Sequence, residues 1–227
     1  MHVFYDPGDG NILSAGESHH AVNVLRLRTG DRIMILNGKG AVIHAVLTEM
    51  NAKGCSYEVE RQEDIPSRPF RLHIAFGILK QSDRMEWMIE KATEIGVDEL
   101  TPVICEHSER KKVNTDRFEK TAVAAIKQSK QPYLPFINPP QKLDEFLGGH
   151  IPGYIAHCNE GMRKPLKEFD QSLNSVTILI GPEGDFSPAE VEAALSVGWQ
   201  PVSLGESRLR AETAAIVACH SIHLLKD

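Results

Sequence analysis

No apolar run in this chain approaches the roughly 18–20 residues that a helix needs to span a bilayer. The opening residues, Met1-His2-Val3-Phe4-Tyr5-Asp6-Pro7, lack a basic stretch followed by an apolar one, so no secretory leader is visible. Cysteine is scarce. Cys55, Cys105, Cys158 and Cys219 stand far apart and form no C-x-x-C pair. That argues against a disulfide framework or a zinc motif and suits a reducing cytoplasm. Positive charge is not in excess either. A net charge of −6 over 227 residues does not describe a protein that coats nucleic acid, although it is compatible with a local basic face. The common phosphate cradles are also missing: neither G-x-G-x-x-G nor G-x-x-x-x-G-K-[ST] occurs. A nicotinamide-dependent oxidoreductase therefore lacks its fingerprint.

Two other glycine-bearing loops are present, each leaving an apolar run and entering a helical pattern. The first is Ile180-Gly181-Pro182-Glu183-Gly184-Asp185, and the second is Leu204-Gly205-Glu206-Ser207-Arg208-Leu209-Arg210. Two such loops can sit side by side at the C-terminal edge of a parallel sheet, where open α/β sheets bind small ligands. The first has no lysine and carries a carboxylate where a phosphate needs donors. An uncharged or cationic adenosine derivative fits it better than a polyanion.

Residues 1 to about 65 read as β-rich. Arg32–Leu36 and an apolar run over 41–47 flank Asn37-Gly38-Lys39-Gly40, a hairpin signal, and Asn51-Ala52-Lys53-Gly54 marks a second turn. Ser18 is the expected cap of a short helix holding His19, His20, Ala21, Val22 and Leu25. This is the makeup of a small β-barrel, usually a binding module. Residues 62–69 read as a linker. From residue 70 strands alternate with helices. The apolar runs predict strands at 72–79, 100–105, 154–158, 176–180 and 202–204. Helices are expected from Asp83 to a stop at Gly96, around Phe118 to Ile126, and from 211 to 225. Ser187-Pro188-Ala189-Glu190 is a capping box with proline at the first helical position. The alternation implies an α/β fold with a mostly parallel sheet and helices on both faces.

With these elements in place, the C-terminal half resembles the SPOUT methyltransferases. The whole chain is similar to the bacterial family that methylates N3 of a uridine in 16S ribosomal RNA. The matching residues are His19-His20, Val24-Leu25-Arg26, Lys80, Asp83-Arg84-Met85-Glu86 and Lys91-Ala92-Thr93-Glu94-Ile95-Gly96-Val97. They continue through Gln128-Ser129, Gly181-Pro182-Glu183-Gly184, Leu204-Gly205 and Leu209-Arg210-Ala211-Glu212-Thr213-Ala214. The resemblance implies a PUA-like RNA-binding β-barrel over 1–68 and an α/β trefoil-knot domain over 69–227. It implies S-adenosylmethionine as cofactor, the 16S rRNA of the small ribosomal subunit as substrate, and a homodimer in the cytoplasm. The departures are Asp185 where the family has a second glycine, Ser207-Arg208 in the second loop, Lys127 in place of a glutamate, and the lack of an arginine near Lys130-Gln131.

By that resemblance Ile180, Gly181, Pro182, Glu183, Gly184, Leu204, Gly205, Leu209, Ala211 and Thr213 are expected to hold the cofactor. Its glycines would let the backbone approach adenosine closely. N3 of uracil carries a proton at neutral pH, so the site must stabilise negative charge on the uracil oxygens. Arg210 is the candidate for that role, with Glu212 to orient it as the second catalytic residue. His19, His20, Arg26, Arg28, Lys80, Arg84 and Arg110 are expected on the RNA side, the cations binding phosphates. This chemistry requires no metal, and His220 and His223 find no third ligand in the sequence. A non-catalytic RNA-binding or ribosome-assembly factor on the same fold is the competing reading. The intact loops disfavour it.

Overall fold

The computed structural model describes residues 1–8, 10–159, 161 and 163–226. The chain forms two compact units, one of Met1–Ser67 with Val123–Leu134 and one of Arg68–Ala122 with Pro135–Asp227.

The first unit contains β1 (His2–Tyr5), α1 (Ala15–His19), β2 (Arg32–Leu36), β3 (Ala41–Glu49) and β4 (Ser56–Asp64). These strands make one sheet in the order β1-β2-β3-β4, with β1 parallel to β2 and the rest antiparallel. The expected hairpin joins β2 to β3. Asn37 closes it by accepting the backbone N–H groups of Lys39 at 2.8 Å and Ala41 at 2.9 Å. After β1 the chain crosses to the far edge, where Leu13 donates to the Cys55 carbonyl and Tyr57 donates to that of Asn11, both at 2.9 Å. A short segment thus links the two edges and curls the sheet toward a barrel around Phe4, Leu13, Ile33, Ile35, Leu47 and Tyr57. Residues 62–64, expected in the linker, extend β4 instead.

Ser18 does not cap the helix. Ser14 does, by accepting the N–H of Glu17, and α1 continues into a π-helical turn over His20–Val24. Ser18 is buried instead. Its hydroxyl donates to the Leu13 carbonyl at 3.0 Å and accepts the Cys55 N–H at 2.8 Å, satisfying main-chain groups that the curled edge would otherwise leave unpaired.

The second unit holds β5 (Arg71–Gly77), α2 (Ser82–Ile95), β6 (Glu99–Ile104), β7 (Phe136–Ile137), β8 (Gln141–Lys142) and α4 (Leu143–Gly149). It continues with β9 (Tyr154–Ala156), β10 (Lys164–Pro165), β11 (Ser175–Ile180), α5 (Pro188–Ser196), β12 (Gln200–Ser203) and α6 (Ala211–Lys226). Helix α3 (Thr115–Ser129) falls between, and its last turns belong to the first unit. There Lys127 bonds Glu17 at 2.6 Å and sits over the Phe4 ring, which gives this departure a structural role.

All pairings in the second sheet are parallel, in the order β10-β12-β9-β11-β5-β6-β7, with β8 also on β6. The fold is therefore α/β with a parallel sheet, as the alternation implied. Strand β11 inserts between β5 and β9, and β12 lies beyond β9, so successive strands skip over a neighbour. Side-chain alternation divides the core. Ala75, Val103, Ile155 and Leu179 face α4 and α5 with Phe146, Val191 and Trp199. On the other side α6 packs on α2, β5 and β11. The capping box at Ser187 forms as read, and Gly96 ends α2 in the left-handed conformation.

His73, 5% exposed on β5, meets Thr101 at 2.7 Å and packs on the ring of Phe146. Burial pulls its pKa down to about 4, with Glu99 opposing and His150 and Arg71 adding smaller decreases. The unfolded chain takes up this proton near pH 6.5 and the folded one near 4, so stability is full above 6.5 and falls between those values. The loss through this residue is about 3 kcal/mol. A His73→Gln variant should show a shallower decline in unfolding free energy over that window. Equal slopes in the two proteins would refute the assignment.

Candidate functional site

Because the second sheet is parallel, the loops after β5, β6, β9, β11 and β12 converge on one edge. A cavity of about 590 Å³ opens there over the adjacent strands β12, β9 and β11. That volume lies within the range of small-molecule sites. Ile180, Gly181, Pro182 and Glu183 enter it from β11, and Leu204, Gly205, Leu209 and Arg210 from β12, with Ala211 at the start of α6. The two loops singled out in the sequence, 24 residues apart from Gly181 to Gly205, therefore meet across one space. Gly184 and Thr213 lie outside the lining: the Gly184 carbonyl is turned to His107 at 2.9 Å instead.

The walls are held by specific contacts. At Gly77, the last residue of β5, an added Cβ would lie 2.4 Å from the Pro182 nitrogen, so backbone meets backbone there. Gly205 has nothing within 4 Å but adopts φ 136°, which a side chain would strain. The Glu183 carboxylate accepts the Lys80 N–H at 3.2 Å and joins the β5 and β11 loops. His107, from the loop after β6, binds the Gly184 and Asp185 carbonyls through Nδ1, and these bonds, that to Asp185 first, raise its pKa.

Asp185 explains itself in this setting. It holds φ 61°, the left-handed region that a glycine would fill without strain. Its carboxylate accepts the Phe186 N–H at 2.9 Å and the Cys158 N–H at 2.7 Å. The departure thus ties the β11 loop to the loop after β9.

That third loop carries no sequence motif, and its first residues, His157 and Cys158, fall beyond the end of β9 rather than in the strand expected over 154–158. Ala156, His157, Cys158 and Arg163 all line the cavity. Neither His157 ring nitrogen has a hydrogen-bond partner, although the residue is only 7% exposed. Burial lowers its pKa, Asp185 opposes that shift, and Arg163 adds to it. An imidazole with unused hydrogen-bonding capacity at both nitrogens therefore stands in the wall. Arg163 binds the His157 carbonyl. The available signal was positional: any strand ending at this edge contributes its loop. Arg208, Glu206 and Asp185 complete a lining of mixed charge.

Arg210 is exposed at the cavity mouth, and its carbonyl accepts the Ala214 N–H at 2.8 Å, which places it at the start of α6. Glu212 does not reach into the cavity. It is buried against α2, with Arg84 at 3.8 Å and its Oε2 unpartnered. The expected Arg210–Glu212 pair is thus an Arg84–Glu212 pair, because two steps along a helix turn a side chain by about 200°, to the opposite face.

Lys80, Arg84 and Arg110 cluster beside the same sheet edge. Lys80 pairs with Glu109 at 2.8 Å, and Arg110 bonds Ser82 at the start of α2. In the first unit His19, Arg26 and Arg28 are exposed and His20 is half-buried, with Arg26 at φ 55°. No helix among the described residues is long and apolar enough to cross a membrane.

A parallel sheet whose strands skip neighbours, with a glycine-walled cavity over its C-terminal edge, agrees with the SPOUT class of methyltransferase folds that the sequence resembles. A family model described as an RNA methyltransferase domain matches residues 66–223, and one described as an RNA methyltransferase PUA domain matches residues 13–60. This chain belongs to the RNA methyltransferase family. The Rickettsia conorii protein named ribosomal RNA small subunit methyltransferase E is 30% identical over 212 residues, covering 91% of this chain and 86% of that one. A Porphyromonas gingivalis structure described as a "probable rRNA-methyltransferase" is 41% identical with a TM-score of 0.89, covering 100% and 98% of the two chains. The Neisseria gonorrhoeae ribosomal RNA small subunit methyltransferase E, solved bound to S-adenosyl methionine, is 25% identical with a TM-score of 0.87, covering 99% and 98%.

The Gly77–Pro182 approach generates a prediction. Gly77→Ala overpacks the edge and should destabilise the protein by about 1–3 kcal/mol in urea unfolding. Gly148→Ala, with nothing within 4 Å of the new methyl, should be neutral or stabilising. Equal effects would mean that the close approach does not constrain the fold.

Proposed function

We propose that this protein transfers a methyl group from S-adenosylmethionine to N3 of a uridine in the 16S rRNA of the small ribosomal subunit. The observation that carries this reading is the cavity over β12, β9 and β11, whose lining suits that cofactor. Ile180, Leu204 and Leu209 supply apolar walls for adenine, and Gly181 and Gly205 bring main-chain groups close. Glu183, Asp185 and Glu206 offer carboxylates to a sulfonium and an amino group, and Arg163 and Arg208 offer cations to a carboxylate. A nucleotide polyanion would meet these acids instead.

When bound, S-adenosylmethionine supplies an electrophilic methyl group for in-line displacement. The protein's part is positioning and charge stabilisation. Arg210 stands at the mouth, where its guanidinium would stabilise the uracil oxygens as N3 gives up its proton to water. A cation at a helix N-terminus is disfavoured by the helix dipole and gains most from an anionic guest. Glu212 serves from behind, fixing α2 to α6 through Arg84. His157 offers an unfilled hydrogen-bond acceptor inside the cavity. Lys80, Arg84 and Arg110 on this unit, and Arg26 and Arg28 with His19 and His20 on the other, are assigned to RNA. Phosphate contacts would position the strand, and a flipped-out base would enter the pocket. We assign the active form as a homodimer in the cytoplasm.

Calorimetric titration with S-adenosylmethionine tests the cofactor, with NAD as control: binding of the first alone is expected. Arg210→Ala should lower the methylation rate about 10²–10³-fold while cofactor affinity stays within a few-fold. Nucleoside analysis of treated small subunits should show N3-methyluridine. Unchanged turnover in the variant would remove Arg210 from the mechanism, and cofactor-free rRNA binding without turnover would favour the assembly-factor reading.

A further inference from the structure

At the opposite end of the second sheet, three ligand-bearing side chains meet outside the cavity. His73 of β5 and Glu99 of β6 are register partners and point to the same face. Helix α4 ends above them and delivers His150, whose ring centroid lies 5.6 Å from that of His73. One ligand atom from each of the three residues lies within 4.8 Å of the other two. The position is four residues back along β5 from Gly77, about 13 Å from the cavity edge.

Each side chain is held by one polar atom and keeps another in reserve. His150 donates from Nδ1 to the Phe146 carbonyl at 2.9 Å and stacks on the Phe146 ring. A carbonyl only accepts, so a neutral His150 carries its proton on Nδ1 and a lone pair on Nε2. His73 engages Thr101 through Nε2 at 2.7 Å, which leaves Nδ1. Glu99 Oε1 accepts from Asn138 Nδ2 at 2.8 Å, and Asn138 also bonds Thr101, so one amide orients two of the three ligand side chains. Outer partners of this kind set the tautomer and direction of metal-binding histidines. The second oxygen of Glu99 faces Arg71 at 3.7 Å, and that arginine side chain is 68% exposed and free to swing away.

We propose that His73, Glu99 and His150 form a binding site for a divalent cation of the zinc class. Two imidazoles and one carboxylate make a donor set of borderline softness and net charge −1. Zinc accepts that set in tetrahedral geometry, with water at the fourth position, whereas magnesium and calcium prefer all-oxygen sites. Glu99 and His150 are half-exposed, which gives the ion a path from solvent. A bound ion would cross-link β5, β6 and the α4–β9 junction. The site is remote from the methyl-transfer cavity, so its role is structural. Its ligands stand 26 and 51 residues apart, which is why no sequence motif announces it.

The test is titration of the full chain, first stripped with a chelator, with zinc ion alone, reading stoichiometry by calorimetry and the melting temperature in parallel. One equivalent and a higher melting temperature are expected, both lost in His150→Ala and in Glu99→Gln, which keeps the carbonyl that Asn138 binds. Asn138→Ala should weaken zinc binding about 10–100-fold. His220→Gln, an exposed histidine on α6, should bind as the parent does. Absence of binding, binding retained in both ligand variants, or equal loss in His220→Gln would each overturn the proposal.

Discussion

Between the end of β5 and the loop after β11 there is no room for a side chain. An alanine methyl at Gly77 would overlap the Pro182 nitrogen, so the two backbones touch. That contact sets where the β11 loop leaves the sheet, and the cavity wall from Gly181 to Asp185 follows from it. Strand β11 can reach this position only by inserting between β5 and β9, which forces β12 to the far side of β9. The three loops that line the cavity are neighbours for this topological reason, although they are distant in sequence.

The wall is then fastened by polar contacts from the surrounding loops. Glu183 accepts from the backbone of Lys80, His107 reaches the Gly184 and Asp185 carbonyls, and Asp185 captures the Cys158 N–H. Each contact satisfies a main-chain group that a loop would otherwise leave to solvent. Together they preorganise a site whose work is to hold two reactants in line. The Arg84–Glu212 pair extends the same logic behind the cavity. Glu212 is its buried member, so losing Arg84 would strand that carboxylate, and the pair fixes the start of α6 from which Arg210 projects.

Two departures from the family pattern, Asp185 and Lys127, become intelligible in this frame. Asp185 accepts a left-handed backbone and offsets its cost with two short hydrogen bonds to main-chain donors. Lys127 is occupied by Glu17 and the Phe4 ring within the first unit, so its exchange for the usual glutamate serves packing there.

Much of the fold was legible in the sequence because its signals are local. The hairpin at Asn37, the capping box at Ser187, the stop at Gly96 and the apolar period of α2 depend on residues within a few positions of one another. Ser18 was misread because the cap is Ser14, four residues earlier, while burial turns the Ser18 hydroxyl to main-chain groups of the sheet edge. Strands of two or three residues such as β7, β8 and β10 carry too little pattern to detect. At the site, the two glycine loops announced themselves, and most of their residues line the cavity. The loop after β9, the rotation of Glu212 toward Arg84 and the meeting of His73 with Glu99 and His150 were invisible. These were decided by strand order and helix phase, which arise when distant segments pack. The sequence by itself determined the local elements and the chemical character of the loops. Tertiary structure alone decided which side chains face one another, because packing contacts join residues without regard to their separation along the chain.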